Sequence, residues 1–521
     1  MDYQIIDYDV NDICLKYQVS ELVAKTFVYN GLNDRQIRQV LDDRSEYHEN
    51  DDIYLKKAVD RILKAKAKKQ KVFVAGDYDC DGICATAIMK NTLDILKIEN
   101  GYYIPDRFKD GYGLNCNIVQ MVADKGYDLI ITVDNGIKAY EALELASKLN
   151  IDVIVSDHHI IEKELDNIVV HPQLMSDDFK GLCGAGVALQ MSLKLIGEND
   201  LHDCLAMIAT IGDVMELFNE NRIIVKRGLK KIYQFNSLLN LAGKNNNITE
   251  EDIAFSIVPK LNSIARLDDE SNPNVLVKYL LCKDLMVINK LSKQIDELNN
   301  KRKNLSKLMY DKAIGLVNDD AFIIIEDDDF NEGLVGLVAG RIAKECKRPC
   351  IIFVKKEGLL KGSGRSVKGF DMHSFLSDFD LVSFGGHAQA VGLAINVEDF
   401  ESFKLQIKNK MADIRIDEIY DEAIAIKTKD LTLDNLNQFE KLHPFGQGFN
   451  KPLFMIKDMI IDKYQILKDK YIKFELESKI QAISFNTSHK GITSPKCIVG
   501  QIGINEFRSI KNVSIQIKDM E

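Results

Sequence analysis

Lys71-Val72-Phe73-Val74-Ala75-Gly76 runs directly into Asp77-Tyr78-Asp79-Cys80-Asp81-Gly82. A short run of valines and Phe closed by Gly predicts a buried strand. The three acids, at alternate positions, then emerge at the strand's carboxyl end, the edge where open α/β sheets hold their ligands. Like charges crowded there repel unless a cation neutralises them, and hard divalent cations take oxygen ligands. An acidic turn in water would account for the hexapeptide alone, but not for its recurrence further along the chain.

Two more strand ends carry the same chemistry. Leu129-Ile130-Ile131-Thr132-Val133 runs into Asp134-Asn135-Gly136, and Val153-Ile154-Val155-Ser156 runs into Asp157-His158-His159. Ala139 to Leu149, between them, has helical periodicity, so the unit reads strand, helix, strand with a right-handed crossover. A fourth acid, Asp213, closes the apolar helix that ends in Ala209-Thr210-Ile211-Gly212. Asp and His together suit Mn2+ or Mg2+, and the want of cysteine ligands argues against a structural zinc site.

The 521 residues are 46% hydrophobic, enough for several cores, and their length suggests roughly three or four domains. Ten cysteines lie scattered without a paired metal or redox spacing, which predicts reduced thiols in a cytoplasmic protein. Met1-Asp2-Tyr3-Gln4 shows no basic region followed by an apolar core, so no secretory signal is expected. No apolar run approaches the roughly 20 residues needed to span a bilayer, so no membrane partner is expected. A net charge of −11 looks wrong for a nucleic-acid binder, whose phosphate contacts need Lys and Arg. A nuclease escapes the objection by spending its carboxylates on metals, with positive charge confined to a groove.

Residues 1–50 read as a polar, helix-leaning lead, and 51–282 hold the metal motifs. Across 283–317, Leu291, Ile295, Leu298, Leu305 and Met309 recur at three- and four-residue spacing. That predicts one long helix connecting two domains rather than a coiled-coil dimer, and hence a monomer. Arg302 falls on this seam where an apolar residue belongs, either as a snorkelling arginine or as a phosphate contact. Residues 318–415 predict a second, smaller α/β domain: strands at Ala321–Ile325 and Cys350–Val354, a helix over Leu334–Cys346, and two Gly-rich turns, 362–366 and 385–392. These turns carry Arg365 and His387 and let backbone approach a ligand. From 420 to 521 the texture changes to five short candidate strands, starting at Phe454, Tyr471, Ile480, Cys497 and Val513, which suit an OB-type β-barrel. Its Tyr464, Tyr471 and Phe507 could equally stack on bases or fill the core.

Asp-x-Asp-x-Asp-Gly, then Val133-Asp134-Asn135-Gly136, then Ser156-Asp157-His158-His159 resemble the first three motifs of the DHH phosphoesterases. Within that superfamily the chain is most similar to the RecJ family of bacterial single-strand-specific exonucleases. The supporting stretches are Tyr103–Phe108 with Gly111–Gly113, Leu182–Val187, Pro259–Asn262, Lys361–Ser366, Gly385-Gly386-His387 and Pro444-Phe445-Gly446-Gln447-Gly448, in family order from about residue 50 onward. The resemblance implies a DHH catalytic domain with a mostly parallel sheet, the connecting helix, a DHH-associated domain and the OB-type barrel. Ala265 stands before Arg266 where the family has Gly, and Gly212 stands before Asp213 where Ala is more common.

Phosphodiester hydrolysis needs a nucleophile, charge stabilisation on the phosphorus oxygens and help for the leaving oxygen, which two divalent metals about 3.5–4 Å apart supply. Asp134, alone at its strand end, is the candidate bridging carboxylate. Asp77, Asp79 and Asp81 would divide between the two ions, Mn2+ or Mg2+, with His158 and Asp213 completing one of them. The resemblance implies the same ligand set and leaves the division of the three acids open. Asp157 would orient His158 or His159, and His159 would face substrate as readily as metal. The resemblance further implies that Arg107, Ser363 and Arg365 grip a terminal phosphate, that His387 closes over the scissile phosphate, and that Arg266 belongs to a substrate-binding arginine motif.

The resulting reading is a metal-dependent 5′-to-3′ exonuclease of single-stranded DNA, acting in repair and recombination. Polarity, DNA preference, and the partners single-strand-binding protein and a RecQ-type helicase all come from the resemblance. A small-substrate DHH phosphodiesterase or oligonucleotide hydrolase is one rival, and a non-catalytic Cdc45-like replication scaffold another. The C-terminal barrel speaks against the first, and the Asp or His at every ligand position against the second. On this reading the barrel is separable from catalysis: losing it from about Asp430 should weaken the grip on long strands more than cleavage of very short ones.

Overall fold

The structure, a computed structural model, describes residues 3–107, 109–267, 272–356, 358–416, 420–507 and 510–521. The first strand, β1 (Tyr3–Ile6), finds its partner only in the C-terminal body of the protein. The metal-motif region folds into a five-stranded sheet of β2 (Val72–Ala75), β3 (Asn100–Tyr103), β4 (Leu129–Val133), β5 (Asp152–Ser156) and β6 (Ile168–Val170). Their order is β3-β2-β4-β5-β6, and every neighbouring pair is parallel. β2 and β4 are buried along their whole length, the continuous apolar run that a parallel sheet covered on both faces requires. Because β3 lies on one side of β2 and β4 on the other, the chain leaves in opposite directions at this point. The crevice that opens at the carboxyl ends of β2 and β4 is where Asp77–Asp81 and Asp134 lie.

A second sheet comprises β7 (Ile323–Glu326), β8 (Cys350–Lys356), β9 (Leu359–Arg365), β10 (Ser383–His387) and β11 (Ala390–Asn396), ordered β10-β11-β9-β8-β7 with only β7 and β8 parallel. The helix Leu285–Ile314, N-capped by Asp284, links the two bodies. Its Ile288 and Ile295 enter the first core, and its Met309, Tyr310 and Ala313 the second. The first Gly-rich stretch is strand as far as Arg365, and the second is a hairpin, two strands joined by a turn at Ala388-Gln389, rather than turns throughout. A Cβ on Gly362 would come within 2.5 Å of the Phe353 ring, and one on Gly364 within 2.6 Å of Met372 Sδ. These glycines make room for neighbouring side chains. Gly386, at φ +132, is the one of them whose backbone itself needs glycine.

The C-terminal strands are β12 (Asp421–Ile426), β13 (Leu453–Lys457), β14 (Ile461–Leu467), β15 (Tyr471–Leu476), β16 (Ile480–Ser484), β17 (Cys497–Phe507) and β18 (Ile510–Met520). With β1 they form one sheet in the order β1-β12-β13-β17-β18-β16-β15-β14. The five strands expected from sequence are joined by β12, β14 and β1. β14 is a mostly exposed edge with no inward alternation, and β1, four residues long, is fixed only by its parallel pairing with β12. The helices of the lead are likewise not a preface to the metal-motif region: Leu22, Val23 and Phe27 pack into the C-terminal core. Among the described residues no helix is long and apolar enough to cross a membrane.

His202, on the helix Asp200–Gly212 behind the crevice, is fully buried between Ser192 Oγ (2.8 Å from Nδ1) and Asn91 Oδ1 (2.9 Å from Nε2). Burial pushes its pKa down to about 4. In the unfolded chain an imidazole titrates near ~6.5, so the unfolded state takes up the proton first. Stability is therefore whole above pH ~6.5 and falls as pH drops toward the folded value, by about 3 kcal/mol at most. Urea melts of the parent between pH ~7.5 and ~4.5 should lose stability more steeply than those of His202→Gln, whose slope lacks this component.

Candidate metal centre and anion cleft

Each acid at the crevice is placed by local backbone geometry. Asp79 N-caps the helix Cys80–Ile95, its Oδ1 accepting from Gly82 N at 3.0 Å. Gly82 is obligatory there, since a Cβ would fall 2.5 Å from the Asp77 carbonyl oxygen. Asp81 turns toward the N-terminus of the helix Gly184–Ile196 and accepts from Gly184 N and Ala185 N, both at 2.7 Å. Asp134 sits at φ 62, directly after β4, and a Cβ on Gly184 would come within 2.5 Å of its own Cβ. Glycine at 184 thus lets the helix end press against the carboxylate.

His158 Nε2 lies 3.1 Å from Asp134 Oδ1 and 3.7 Å from both Asp81 Oδ2 and Asp213 Oδ2. Asp157, left open between two histidines by sequence, settles on His159: its Oδ1 accepts from His159 Nδ1 at 2.7 Å, while Oδ2 holds Ile137 N at 2.9 Å. Burial opposes a charged His159, but the Asp157 carboxylate prevails and raises its pKa. Tyr112 joins this wall, donating to the Asp134 carbonyl at 3.0 Å and lying 3.3 Å from His159 Nε2. Sequence had assigned Tyr112 no role.

The donor set fits a cation. Burial and then neighbouring carboxylates raise the pKa of Asp77, Asp79 and Asp134, and push that of Asp213 up to about 8. Asp77 Oδ1 and Asp134 Oδ1 are buried with no hydrogen bond reaching them. Three sets of residues bring one ligand atom each within 4.8 Å of the others: Asp77, Asp79 and Asp134; Asp81, His158 and Asp213; and Asp134, His158 and His159. Asp134 and His158 each belong to two of these sets, so the set of Asp134, His158 and His159 links the other two along the crevice, among the described residues.

Across from the acids stands an arginine cluster. The Arg107 guanidinium lies 5.6 Å over the Tyr78 ring, within the acidic motif itself. Burial, followed by the charges of Arg107, Arg302 and Arg365, pushes the Arg266 pKa down to about 10. Arg365 Nη1 donates to Ser363 Oγ at 3.0 Å and to the Gly364 carbonyl at 2.8 Å. Gly336 permits this: a Cβ there would meet both Arg365 Nη2 and Ser363 Oγ at 2.8 Å. Arg302 is the member not assigned to the site from sequence. Its Nε is buried without a hydrogen bond, and its misfit on the helix seam was the signal. Cations this close to one another and this desolvated have a use for an anion.

His387 has no hydrogen bond or ion pair with the acids among the described residues. It is exposed on β10, in register with Ala390 and, through it, Arg365, so two strands or ~10 Å separate it from Arg365 along the sheet. Between them Gly385 and Gly392 leave an open floor beside Ser363, with nothing within 4 Å of a notional Cβ. On the C-terminal sheet, Tyr471 and Phe485 meet edge to face at 5.5 Å, with Phe485 56% exposed. Tyr464, on the edge strand, is 52% exposed, whereas the Phe507 side chain lies outside the described residues.

Residues 71–212 match the DHH family, N-terminal domain, 319–413 the DHHA1 domain, and 423–519 the RecJ OB domain. The single-stranded-DNA-specific exonuclease RecJ of Bacillus subtilis is 31% identical over 98% of this chain and 69% of its own length. The crystal structure of RecJ in complex with Mn2+ from Thermus thermophilus shares the fold with a TM-score of 0.82 at 24% identity, covering 100% of this chain and 79% of that one. A crystal structure of exonuclease RecJ bound to manganese is 29% identical with a TM-score of 0.61, covering 70% of this chain and 96% of that one.

Asp134→Asn tests the electrostatics of the crevice directly, because Asn tolerates the left-handed backbone there. In chelator the variant should melt about 2–4 °C above the parent, having lost one of several repelling buried charges. Mn2+ should raise the parent's melting temperature and leave the variant's almost unmoved. A parent melt indifferent to Mn2+ would rule out the metal centre.

Proposed function

This chain belongs to the RecJ family of DHH phosphoesterases, and we propose that it is a metal-dependent exonuclease that hydrolyses single-stranded DNA from the 5′ end to mononucleotides. The observation that carries this reading is the placing of the arginine cluster opposite the carboxylates, with Arg107 over Tyr78 joining the two. A centre for small phosphate esters has no need of a second anion site a residue's length away, whereas a terminal nucleotide has one phosphate at its end and one at the scissile bond.

Asp77, Asp79, Asp81, Asp134, His158 and Asp213 would hold two divalent cations, Mn2+ or Mg2+. Bound there, these ions neutralise charge on the phosphoryl oxygens and make a water more acidic. The chain's own groups do the rest. His159, whose Nδ1 is held by the Asp157 carboxylate, a contact that favours the charged ring, would present a donor to a phosphate oxygen. Arg365, braced by Ser363, and Arg107 take the 5′-terminal phosphate; Arg266 and Arg302 add charge behind them. The glycine floor of β10 and β11 lets the strand's backbone lie close to the sheet, with His387 at its far side.

In this division of labour residues 51–282 carry catalysis, 283–317 connect, 318–415 hold the strand's end, and 420–521 hold its continuation, with the 1–50 lead alongside. An enzyme whose cleft excludes duplex needs strands opened for it. A RecQ-type helicase and single-strand-binding protein are therefore fitting partners for a cytoplasmic monomer engaged in repair and recombination.

Arg365→Ala should slow cleavage of 5′-phosphorylated strands by roughly 10- to 150-fold, the worth of a charge-assisted contact, and 5′-hydroxyl strands much less. Arg365→Lys should recover only part, lacking the two-pronged geometry. End-labelled substrates decide: label released first from the 3′ end, or equal slowing of both substrates, rejects the pocket.

The Tyr471–Phe485 pair is the stacking platform this reading needs. Phe485→Ala should weaken binding of long single strands by about 5- to 100-fold and leave turnover of very short ones unchanged. Equal affinity for long strands in parent and variant would remove this face from the binding path.

A further inference from the structure

Asp213 is one of the acids in the crevice that no backbone amide holds, among the described residues. Asp81 is held by two backbone amides, Asp79 by one and Asp157 by three backbone amides and a histidine. No side-chain hydrogen bond holds the Asp213 carboxylate among the described residues; His158 Nε2 lies 3.7 Å from it. Where it points is therefore set by backbone alone. That backbone is unusual: Asp213 caps the C-terminus of its helix, and Val214 follows at φ 55, a left-handed conformation that β-branched residues rarely adopt. Something outside the helix has to hold the loop that continues from it.

The loop is held by a segment of the C-terminal body more than two hundred residues away in sequence. Leu217 N donates to the Gln447 carbonyl at 2.9 Å. Gly446 and Gly448 lie flush against the loop: a Cβ on Gly446 would come within 2.7 Å of Leu217 Cδ1, and one on Gly448, at φ +78, within 3.0 Å of the Phe218 ring. Just beyond the loop, Arg222, 2% exposed, donates from Nη1 to the Pro444 carbonyl at 3.0 Å and from Nη2 to the Leu442 carbonyl at 2.7 Å. Buried Glu250 accepts from Phe445 N at 2.8 Å and from His443 Nδ1 at 2.6 Å. Both sides commit buried polar groups to this joint, which a loosely tethered binding domain would not require.

We propose that Leu442–Phe449 is a clamp that positions the metal centre, holding the 214–218 loop so that Asp213 completes the set it forms with Asp81 and His158. The inference rests on the metal reading above. It corrects the expectation that the C-terminal body is separable: truncation from about Asp430 removes the clamp, so cleavage of the shortest strands fails together with binding of long ones. It also gives the Pro-Phe-Gly-Gln-Gly stretch a task that the stacking face does not cover.

Full-length Gly448→Ala and Leu217→Ala test it from the two sides of the joint, one by adding bulk and one by removing the side chain that Gly446 seats. Mn2+ binding is followed by the electron paramagnetic resonance of the free ion, with thermal melts and steady-state kinetics on very short 5′-phosphorylated strands. The weaker of two Mn2+ affinities should fall about tenfold or more, as losses of ligand-supporting contacts do, while the tighter is kept. On the short strands kcat should drop with KM unchanged, and excess Mn2+ should restore much of it. If one variant does not fold, the other decides. Mn2+ affinities equal to the parent's in a folded variant, or a loss confined to KM on long strands, overturns the clamp. A parent that binds no Mn2+ overturns the metal centre itself, a result distinguishable from either.

Discussion

Repulsion among buried carboxylates governs this molecule. Five aspartates and two histidines share one crevice, their ligand atoms grouped within 4.8 Å of one another set by set, and burial raises the cost of the charges in it. Such a group persists only if the backbone around it is pinned independently of the charges. The pinning is visible in the helix N-termini aimed at Asp79 and Asp81, in the left-handed turn at Asp134, and in glycines at 82 and 184 that allow no side chain between the elements. The parallel sheet supplies what these turns need, a rigid edge whose direction reverses where the acids emerge.

The same repulsion explains how an acidic protein can serve a polyanion. A net charge of −11 gives no general attraction for DNA. The chain instead gathers arginines beside the acids, where burial and then the charges of Arg107, Arg302 and Arg365 lower the basicity of Arg266. Attraction is then local and conditional on metal.

The strand ends were legible in the sequence because a charge that interrupts an apolar run is a discontinuity in composition, and composition is what a linear reading sees. The long helix was legible for the same reason, through its seam. What stayed hidden depends on partners remote in sequence. The Gly-rich stretches look like turns until Phe353 and Met372 are seen filling the space the glycines leave. β1 is a strand only because β12 lies beside it. Asp157 could have served either histidine, and only the fold of the turn after β5 gives it His159. Arg302 announced itself as a misfit on the seam, but whether it faced water or other arginines needed the second domain in place.

The helix Leu285–Ile314 ties these arrangements into one device. Its thirty residues make a rod of about 45 Å, with one end in the core under the metal centre and the other in the core under the glycine floor. Arg302 lies between these anchors, at the joint where Arg266 meets Gly333 at the start of the second body. A rod embedded in both cores ties Arg365, on the second body, to the acids and to Arg107 and Arg266 on the first. On the proposed reading, the packing of Ile288, Ile295, Met309 and Ala313 then matters to how a strand is held as much as any residue proposed to touch the phosphate.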